Sequence, residues 1–196
     1  MCESNAVDRI IIPPAIALEI ASRASKAYLR ECVCRVREQL CPRDAWEVCL
    51  LFESASQADV QNARPISTSE ALSILRITAE RKVIYNLFYT HTGQRVTEIC
   101  SCCSCCCHPL HHMREAGNYG TQIRSEYLSV TDVTRCNGCG LCEESCFFGA
   151  RQVDNGTLHL IDERCFGCGK CIDSCPEDAI ALERQVGRGV PIPVAV

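Results

Sequence analysis

Cysteine is the residue type of this chain whose number and spacing could do chemistry. The 196 residues include 19 cysteines, which reaches the ~8–10% that marks a disulfide scaffold or a metal protein. The count is odd, and the cysteines stand in tight C-x-x-C and C-C groups, whose Cα spacing and side-chain direction rarely suit disulfides. The pattern therefore favours thiolates that bind metal.

Eight of these cysteines form two copies of one pattern, C-x2-C-x2-C-x3-C, which start 29 residues apart. Flanking residues recur as well, for example Gly138 with Gly167 and Ala150 with Ala179, which indicates an internal duplication. The first copy is Cys136, Cys139, Cys142 and Cys146, and the second is Cys165, Cys168, Cys171 and Cys175.

This spacing suits cubane iron–sulfur clusters. A C-x2-C-x2-C loop wraps three corners of a cubane, and its glycines let backbone N–H groups approach the sulfurs. The fourth cysteine is expected to start a short helix and to bind the cluster of the other copy. Zinc is the alternative metal, but the duplicated spacing is a poor match for zinc ribbons. The prediction is one [4Fe–4S] cluster on Cys136, Cys139, Cys142 and Cys175 and a second on Cys165, Cys168, Cys171 and Cys146.

These motifs resemble the bacterial-type dicluster ferredoxin family over residues 130–184, which is 55 of the 196 positions. The resemblance implies a (βαβ)2 module that moves single electrons, with short strands near Tyr127–Val133 and Leu158–Asp162. One departure is visible: the proline that follows the fourth cysteine in the family is Pro176 in the second copy but Phe147 in the first. That change loosens one turn without removing a ligand.

A second set of candidate ligands lies between residues 100 and 107, where six cysteines stand within eight residues. At a step of three, Cys100, Cys103 and Cys106 repeat the three-corner loop, and the other three are interleaved with them. Thiols packed as small apolar groups are the alternative, which this density disfavours. The candidates are Cys100, Cys102, Cys103, Cys105, Cys106 and Cys107.

Four further candidates lie upstream. If Cys32 and Cys34 belong to a strand, their side chains share a face. Four cysteines could close a zinc site or supply missing corners of clusters, but core packing is an equal alternative for this group because the apolar run around Cys49 is typical of a core. The candidates are Cys32, Cys34, Cys41 and Cys49.

The two groups together predict one or two additional iron–sulfur clusters. Two cubanes would use eight of the ten cysteines, and one larger or non-cubane cluster would use six or more. We expect at least one cluster on the 100–107 loop, completed by Cys32 or Cys34, and no role for Cys2. The C-x-C-R motif and the CC-x-CCC run ahead of a dicluster ferredoxin resemble a poorly characterised group of multi-cluster iron–sulfur proteins of anaerobic microbes. This resemblance implies electron transfer within a larger redox assembly.

The elements that must position these cysteines indicate an α+β fold. Pro14 opens a helix, and Ser67 with Glu70 forms a capping box ahead of a helix that ends near Arg81. Val83–Thr90 and Arg95–Ile99 then form a hairpin that delivers the chain into the cysteine run. The predicted domains are a cysteine-rich α+β domain at 1–129, a dicluster ferredoxin domain at 130–184 and an extended apolar tail at 185–196.

Composition limits the partners and the compartment. A net charge of −4 without a basic stripe argues against nucleic acid, and no apolar run reaches the ~18–20 residues of a membrane span. The N-terminus has no signal sequence, so the chain is expected to be cytoplasmic, and oxygen-sensitive thiols indicate an anaerobic host. The expected partners are other redox subunits, one of them bound by the apolar tail at 186–196.

Three functions are compatible with these motifs. The preferred one is a multi-cluster electron-transfer subunit of an oxidoreductase complex, without catalysis of its own. The alternative is a reductase whose unusual cluster in the Cys100–Cys107 loop acts on a disulfide or thioester-like substrate. A redox sensor or metal-handling protein ranks last. No nucleotide-binding motif or hydrolytic constellation is present in the sequence.

Overall fold

The first half of the chain forms a mixed α/β unit built on one antiparallel sheet. The computed structural model describes residues 7–38, 41, 47–91, 94–115 and 124–196. The six strands are arranged in the order β1-β5-β6-β3-β2-β4. Their bounds are β1 Val7–Ile12, β2 Ala27–Glu31, β3 Glu47–Phe52, β4 Arg64–Ile66, β5 Ile84–Thr90 and β6 Val96–Cys102. The helices are α1 Pro14–Arg23, α2 Val33–Glu38, α3 Gln57–Gln61, α4 Thr68–Glu80 and α5 His108–Glu115.

Two helices cover one face of this sheet and enclose the main apolar core. The helix predicted after Pro13 is confirmed as α1, with proline at its first position. The helix predicted after Ser67 is confirmed as α4, whose N-cap Ser67 Oγ accepts a hydrogen bond from the Glu70 N–H at 3.2 Å. Both helices bury small or branched residues, so that α1 and α4 pack together against the sheet.

The β5–β6 hairpin carries the chain into the cysteine run. The strand predicted at Val83–Thr90 is confirmed as β5, and its antiparallel partner β6 continues three residues beyond the predicted end at Ile99. The extension pairs Cys100 with Cys49 of β3. The first cysteines of the run are therefore strand residues inside the sheet. Cys100 is paired on both sides, and Cys102 is paired with Ile84 of β5.

The second half contains two small antiparallel pairs. Strand β7 (Tyr127–Thr131) pairs with β10 (Ile180–Arg184), and β8 (Arg151–Asp154) pairs with β9 (Thr157–Leu160). Helix α6, Leu141–Glu144, contains the third cysteine of the first copy and ends before the fourth. The prediction that the fourth cysteine starts a helix is therefore wrong here. The left-handed Gly140 at the N-cap (φ 81°) makes the chain turn one residue before the helix.

The C-terminal residues lie on the sheet of the first half. The Val96 N–H donates to the Ala195 carbonyl at 2.7 Å, and Ile192, Val194 and Val196 pack against the main core. Val186 remains 84% exposed, and the docking of this tail on a partner stays a prediction. Within the described parts of the chain, none of the helices is long and apolar enough to cross a membrane.

Candidate metal centres

The two duplicated cysteine loops depend on glycines that no other residue could replace without a shift. Gly138 has φ 70°, and a Cβ there would lie 2.2 Å from the Gly156 carbonyl oxygen. Gly167 has φ 66°, and its Cβ would lie 2.5 Å from the Tyr127 carbonyl oxygen. Each loop therefore lies directly against another backbone segment.

The loops enclose two cavities, each lined by four thiols. Each cavity receives three cysteines from one copy and the fourth from the other copy, which are the two sets that the spacing predicts. The first is lined by Cys136, Cys139, Cys142 and Cys175, and the second by Cys146, Cys165, Cys168 and Cys171. Apolar side chains close both, including Leu158 and Ile180 in the first and Phe148 and Phe166 in the second.

The separation of these thiols fits a cluster better than a single ion. Among the described residues, no three of the eight thiols lie within 4.8 Å of one another, whereas a single ion needs all of its ligands close together. A cubane spreads its thiolates, because each one binds a different iron. Backbone N–H groups also point at sulfur at equivalent positions of the two copies: Ala150 donates to Cys146 Sγ and Ala179 to Cys175 Sγ, both at 3.3 Å.

Charge distinguishes the two cavities. The second is lined by Arg151 and Lys170, which are 1% and 5% exposed. Arg151 donates to Thr131 Oγ1 at 2.9 Å, and Lys170 Nζ donates to the Asp173 carboxylate at 3.1 Å. The first cavity is lined by Glu177 and by no lysine or arginine among the described residues. Negative charge is therefore stabilised more strongly in the second cavity.

A third group of thiols forms a closed ring in the first half, which we call the six-thiol ring. Cys32 follows β2, Cys34 lies in the first turn of α2, and Cys49 lies in β3. The Sγ atoms of Cys49 and Cys100 are 3.2 Å apart, and thiol–thiol hydrogen bonds link the other neighbours. In order around the ring, the members are Cys32, Cys34, Cys107, Cys102, Cys100 and Cys49.

The prediction that Cys32 and Cys34 share the face of a strand is wrong. Strand β2 ends at Glu31, and α2 begins at Val33. The two thiols are nevertheless neighbours, because the chain turns from strand to helix between them and both side chains line the ring cavity.

The pKa values alternate around the ring. A hydrogen bond from Cys107 lowers the pKa of Cys34 to about 2, and one from Cys100 lowers the pKa of Cys102 to about 5. The pKa of Cys49 is also lowered, first by the hydrogen bond from Cys100. The pKa values of the three intervening thiols, Cys32, Cys100 and Cys107, are raised, first by hydrogen bonds to their ring neighbours. The lowered pKa values favour the thiolate form, which is the form that binds metal, at Cys34, Cys49 and Cys102.

Two charged residues beside the ring were not identified from the sequence. Glu98 accepts a hydrogen bond from Cys100 Sγ at 2.9 Å and another from Arg30 at 2.8 Å. Burial, together with the charge of Cys49, raises the pKa of Glu98 to about 7. Glu98 stands two residues before Cys100 on the same strand, and this i, i+2 spacing is the signal that could have found it.

A fourth group gathers the remaining thiols of the cysteine run around Cys41. Cys41 Sγ lies 3.8 Å from Cys103 Sγ and 3.7 Å from Cys105 Sγ, and Cys106 Sγ donates to Cys105 Sγ at 3.4 Å. All four sulfurs lie within 4.8 Å of one another. We call this group the four-thiol site.

The cysteine run is therefore divided between two sites, and not by the step of three that the sequence suggests. Cys100 and Cys102 are two residues apart in β6, so both point towards the ring. The chain then turns at 103–106, where the Cys107 N–H donates to the Cys103 carbonyl. That turn brings Cys103 to Cys41, at the edge of the ring cavity that Cys103 also lines. Cys2 lies outside the described residues.

Comparison with known families identifies part of the chain. A family model described as a 4Fe-4S dicluster domain matches residues 135–180. No curated protein matches the chain. The second half thus carries a 4Fe-4S dicluster domain, and the chain is an iron–sulfur protein whose first half is rich in cysteine.

Proposed function

We propose that this iron–sulfur protein transfers single electrons between other redox subunits. Its dicluster domain holds two [4Fe–4S] clusters on the two sets of four cysteines described above, and the six-thiol ring holds one further iron–sulfur centre. Bound clusters of this kind accept and release one electron at a time. The residues of the chain hold these groups, keep water out between them and set their relative potentials.

The observation that carries this proposal is one apolar cluster that joins the ring to the dicluster domain. Phe148 and Phe166 are each 1% exposed, and their ring centroids are 4.8 Å apart. They belong to the same cluster of buried side chains as the ring thiols Cys102 and Cys107, and Cys146 and Cys168 of the second cavity pack against that cluster. One continuous cluster of buried side chains thus extends from the ring to the second cavity. A continuous apolar path supports electron transfer between them.

Charge and exposure support a direction for the transfer. The buried cations of the second cavity stabilise the extra electron of a reduced cluster and raise its potential relative to the first. Cys139, a ligand of the first cavity, is exposed, so electrons enter there and move towards the ring. At the other end, Val33 lines the ring cavity and is 64% exposed, which supports an exit to an acceptor at the start of α2.

The ring contains more thiols than a cubane requires. A [4Fe–4S] cubane uses four cysteines, whereas the ring offers six together with the nearby Glu98 carboxylate. This donor set supports a larger or non-cubane cluster. The ligand chemistry remains soft and sulfur-rich, which suits iron–sulfur groups.

Rapid freeze-quench EPR tests this path. The oxygen-free protein is mixed with a low-potential reductant, and the signals of the dicluster domain and of the ring are followed over time. Phe148→Leu should delay reduction of the ring relative to reduction of the dicluster domain, whose second cavity it also lines. Phe147→Leu is the matched control at the edge of the same cluster. Equal ring reduction rates in the wild type and in Phe148→Leu would exclude this route.

A reductase is the second candidate, favoured by a cleft between the two halves. The cleft has a volume of about 630 Å³ and is lined by the Cys105 thiol, the cluster ligand Cys146 and the cations Lys82 and Arg114. A disulfide substrate would take two electrons, supplied one at a time by the dicluster domain, and two protons to give two thiols. An EPR signal that shifts when a disulfide or thioester is added would support this candidate, and an unchanged signal would argue against it.

A further inference from the structure

The geometry points to a site for one tetrahedral metal ion, Zn²⁺ or Fe²⁺, on Cys41, Cys103, Cys105 and Cys106. This site differs in kind from the clusters of the proposed function and does not depend on them. Four cysteine thiolates and no inorganic sulfide complete its coordination. Its role is to fix the turn that lies between Cys102 and Cys107 of the six-thiol ring.

Distance is the first argument for a single ion. A tetrahedral ion with metal–sulfur bonds of ~2.3 Å places neighbouring sulfurs ~3.8 Å apart. The Cys41–Cys103 and Cys41–Cys105 sulfur separations are 3.8 and 3.7 Å, and the Cys105–Cys106 separation is 3.4 Å. All four sulfurs lie within 4.8 Å of one another. One ion at their centre can reach all four with little movement.

The other thiols of the same molecule supply the contrast. Among the described residues, the dicluster domain has no three thiols as close together as these four. The six-thiol ring extends around its own cavity, and each sulfur is hydrogen-bonded to its neighbour in the ring. Within the ring, Cys49 and Cys100 form an equally compact group only with the Glu98 carboxylate, so the four-thiol site is the one place among the described residues where four such donors meet. Its donor set of four thiolates is the one that suits tetrahedral zinc or iron.

The surroundings also suit a compact anionic site. A divalent ion with four thiolates carries two negative charges, and the guanidinium of Arg35 lies beside Cys103 and Cys41. Arg35 is 1% exposed, and its Nη2 donates to the Ser101 carbonyl at 3.1 Å. A buried cation held in place by the backbone offsets part of the charge of such a site.

The position of the site in the chain gives it a structural role. Three of its ligands come from the single turn 103–106, and the fourth comes from Cys41, 62 residues before Cys103. The ring ligands Cys102 and Cys107 stand immediately on either side of that turn. An ion on the four-thiol site cross-links distant segments and restrains both ring ligands at once.

Metal analysis of the full chain, purified without oxygen, tests the inference. Cys105→Ser should lose about one metal ion per chain with no loss of acid-labile sulfide, and the EPR signals of the dicluster domain should be unchanged. Ser104→Ala, in the same turn, is the matched control and should keep the metal. If the variant loses zinc, the ion is Zn²⁺, and if it loses iron without loss of sulfide, the ion is Fe²⁺. Either result supports a mononuclear site. Loss of about four irons together with sulfide would show a cubane, and an unchanged metal content would show that the site is not used.

A measurement on the unaltered protein covers the case in which the variant does not fold. Growth or reconstitution with Co²⁺ should give the intense visible and near-ultraviolet bands of a tetrahedral tetrathiolate ion. X-ray absorption of the bound ion should show about four sulfur neighbours at ~2.3 Å and no neighbouring metal. A metal neighbour in that spectrum, or no uptake of Co²⁺, would overturn the inference. These results do not depend on the iron content of the ring, so the electron-transfer proposal is tested separately.

Discussion

Gly138 and Gly140 stand two residues apart in the first cysteine loop, and both have positive φ, at 70° and 81°. Their surroundings differ. A Cβ at Gly138 would meet the Gly156 carbonyl at 2.2 Å, whereas a Cβ at Gly140 would meet nothing within 4 Å. The pair therefore separates the cost of left-handed backbone, ~1–2 kcal/mol for an ordinary residue, from the cost of moving the loop.

Gly138→Ala should release the iron of the first dicluster site, because the loop must shift away from β8–β9. Gly140→Ala should keep that iron and lower the free energy of unfolding by ~1–2 kcal/mol. Iron content and thermal unfolding of the two variants provide the measurement. Equal iron loss in both would mean that the contact with Gly156 does not position the loop.

Arg151 contributes most to the positive charge that distinguishes the second cavity from the first. Its guanidinium is buried and bonded to neutral oxygens, whereas the charge of Lys170 is partly offset by Asp173. Arg151→Gln should lower the potential of the second cluster by tens of millivolts, since ~59 mV corresponds to a tenfold change for one electron. Lys170→Gln should have a smaller effect. An EPR-monitored redox titration measures both.

The control for this titration is Arg135→Gln. Arg135 is half exposed and lies 4.0 Å from Asp178, so water screens its charge and little change is expected. If Arg151→Gln left both potentials unchanged, or raised the second, the direction of transfer proposed above would be wrong.

At the scale of elements, the sequence predicted those helices, strands and loops whose formation depends on interactions between residues close together in the chain. The helix after Ser67, the strand at 83–90 and the two duplicated loops each carry their own signals in capping, alternation or spacing. The division of the cysteine run between the six-thiol ring and the four-thiol site depends instead on where β6 ends and on which distant cysteines contact the run. Such pairings across 50 or more residues, like the positions of Arg35 and Phe148, have no local signal.

The C-terminal segment behaves as an element of the first half. Its Val194 and Val196 pack against the main core, and Ala195 pairs with Val96 beside the β5–β6 turn. Deletion of 191–196 should lower the stability of the protein by ~1–3 kcal/mol, because partly buried apolar side chains are lost. Thermal unfolding measures this. The deletion keeps Arg188, which is bonded to Asp162 and to the Cys165 carbonyl.

The same truncation tests the expected contact with a partner. Reduced co-purification with redox subunits, at a temperature where the truncated chain is folded, would support docking through this segment. An unchanged melting temperature would contradict the packing argument. Unchanged co-purification would show that partners bind elsewhere, with the exposed start of α2 at Val33 as the next surface to alter.

At the scale of the whole molecule, the proposed electron path joins three of the thiol sites. The first dicluster cavity has an exposed ligand in Cys139, the second is buried among cations, and the ring follows across Phe148 and Phe166. The four-thiol site is beside the ring and is expected to hold its ligands in place. The proposed path therefore assigns entry, transfer and exit of electrons to separate regions of the molecule.

The most direct test of this account is the iron and acid-labile sulfide content of the oxygen-free protein and of a Cys34→Ser/Cys49→Ser variant. Two cubanes with four irons each account for about eight irons, so we expect clearly more than about eight irons per chain in the wild type. The variant should fall to about eight irons, apart from any single ion on the four-thiol site, with a parallel loss of sulfide. Cys105→Ser should keep the sulfide. A wild-type protein with only about eight irons and eight sulfides would show that the six-thiol ring holds no cluster and would contradict the central claim.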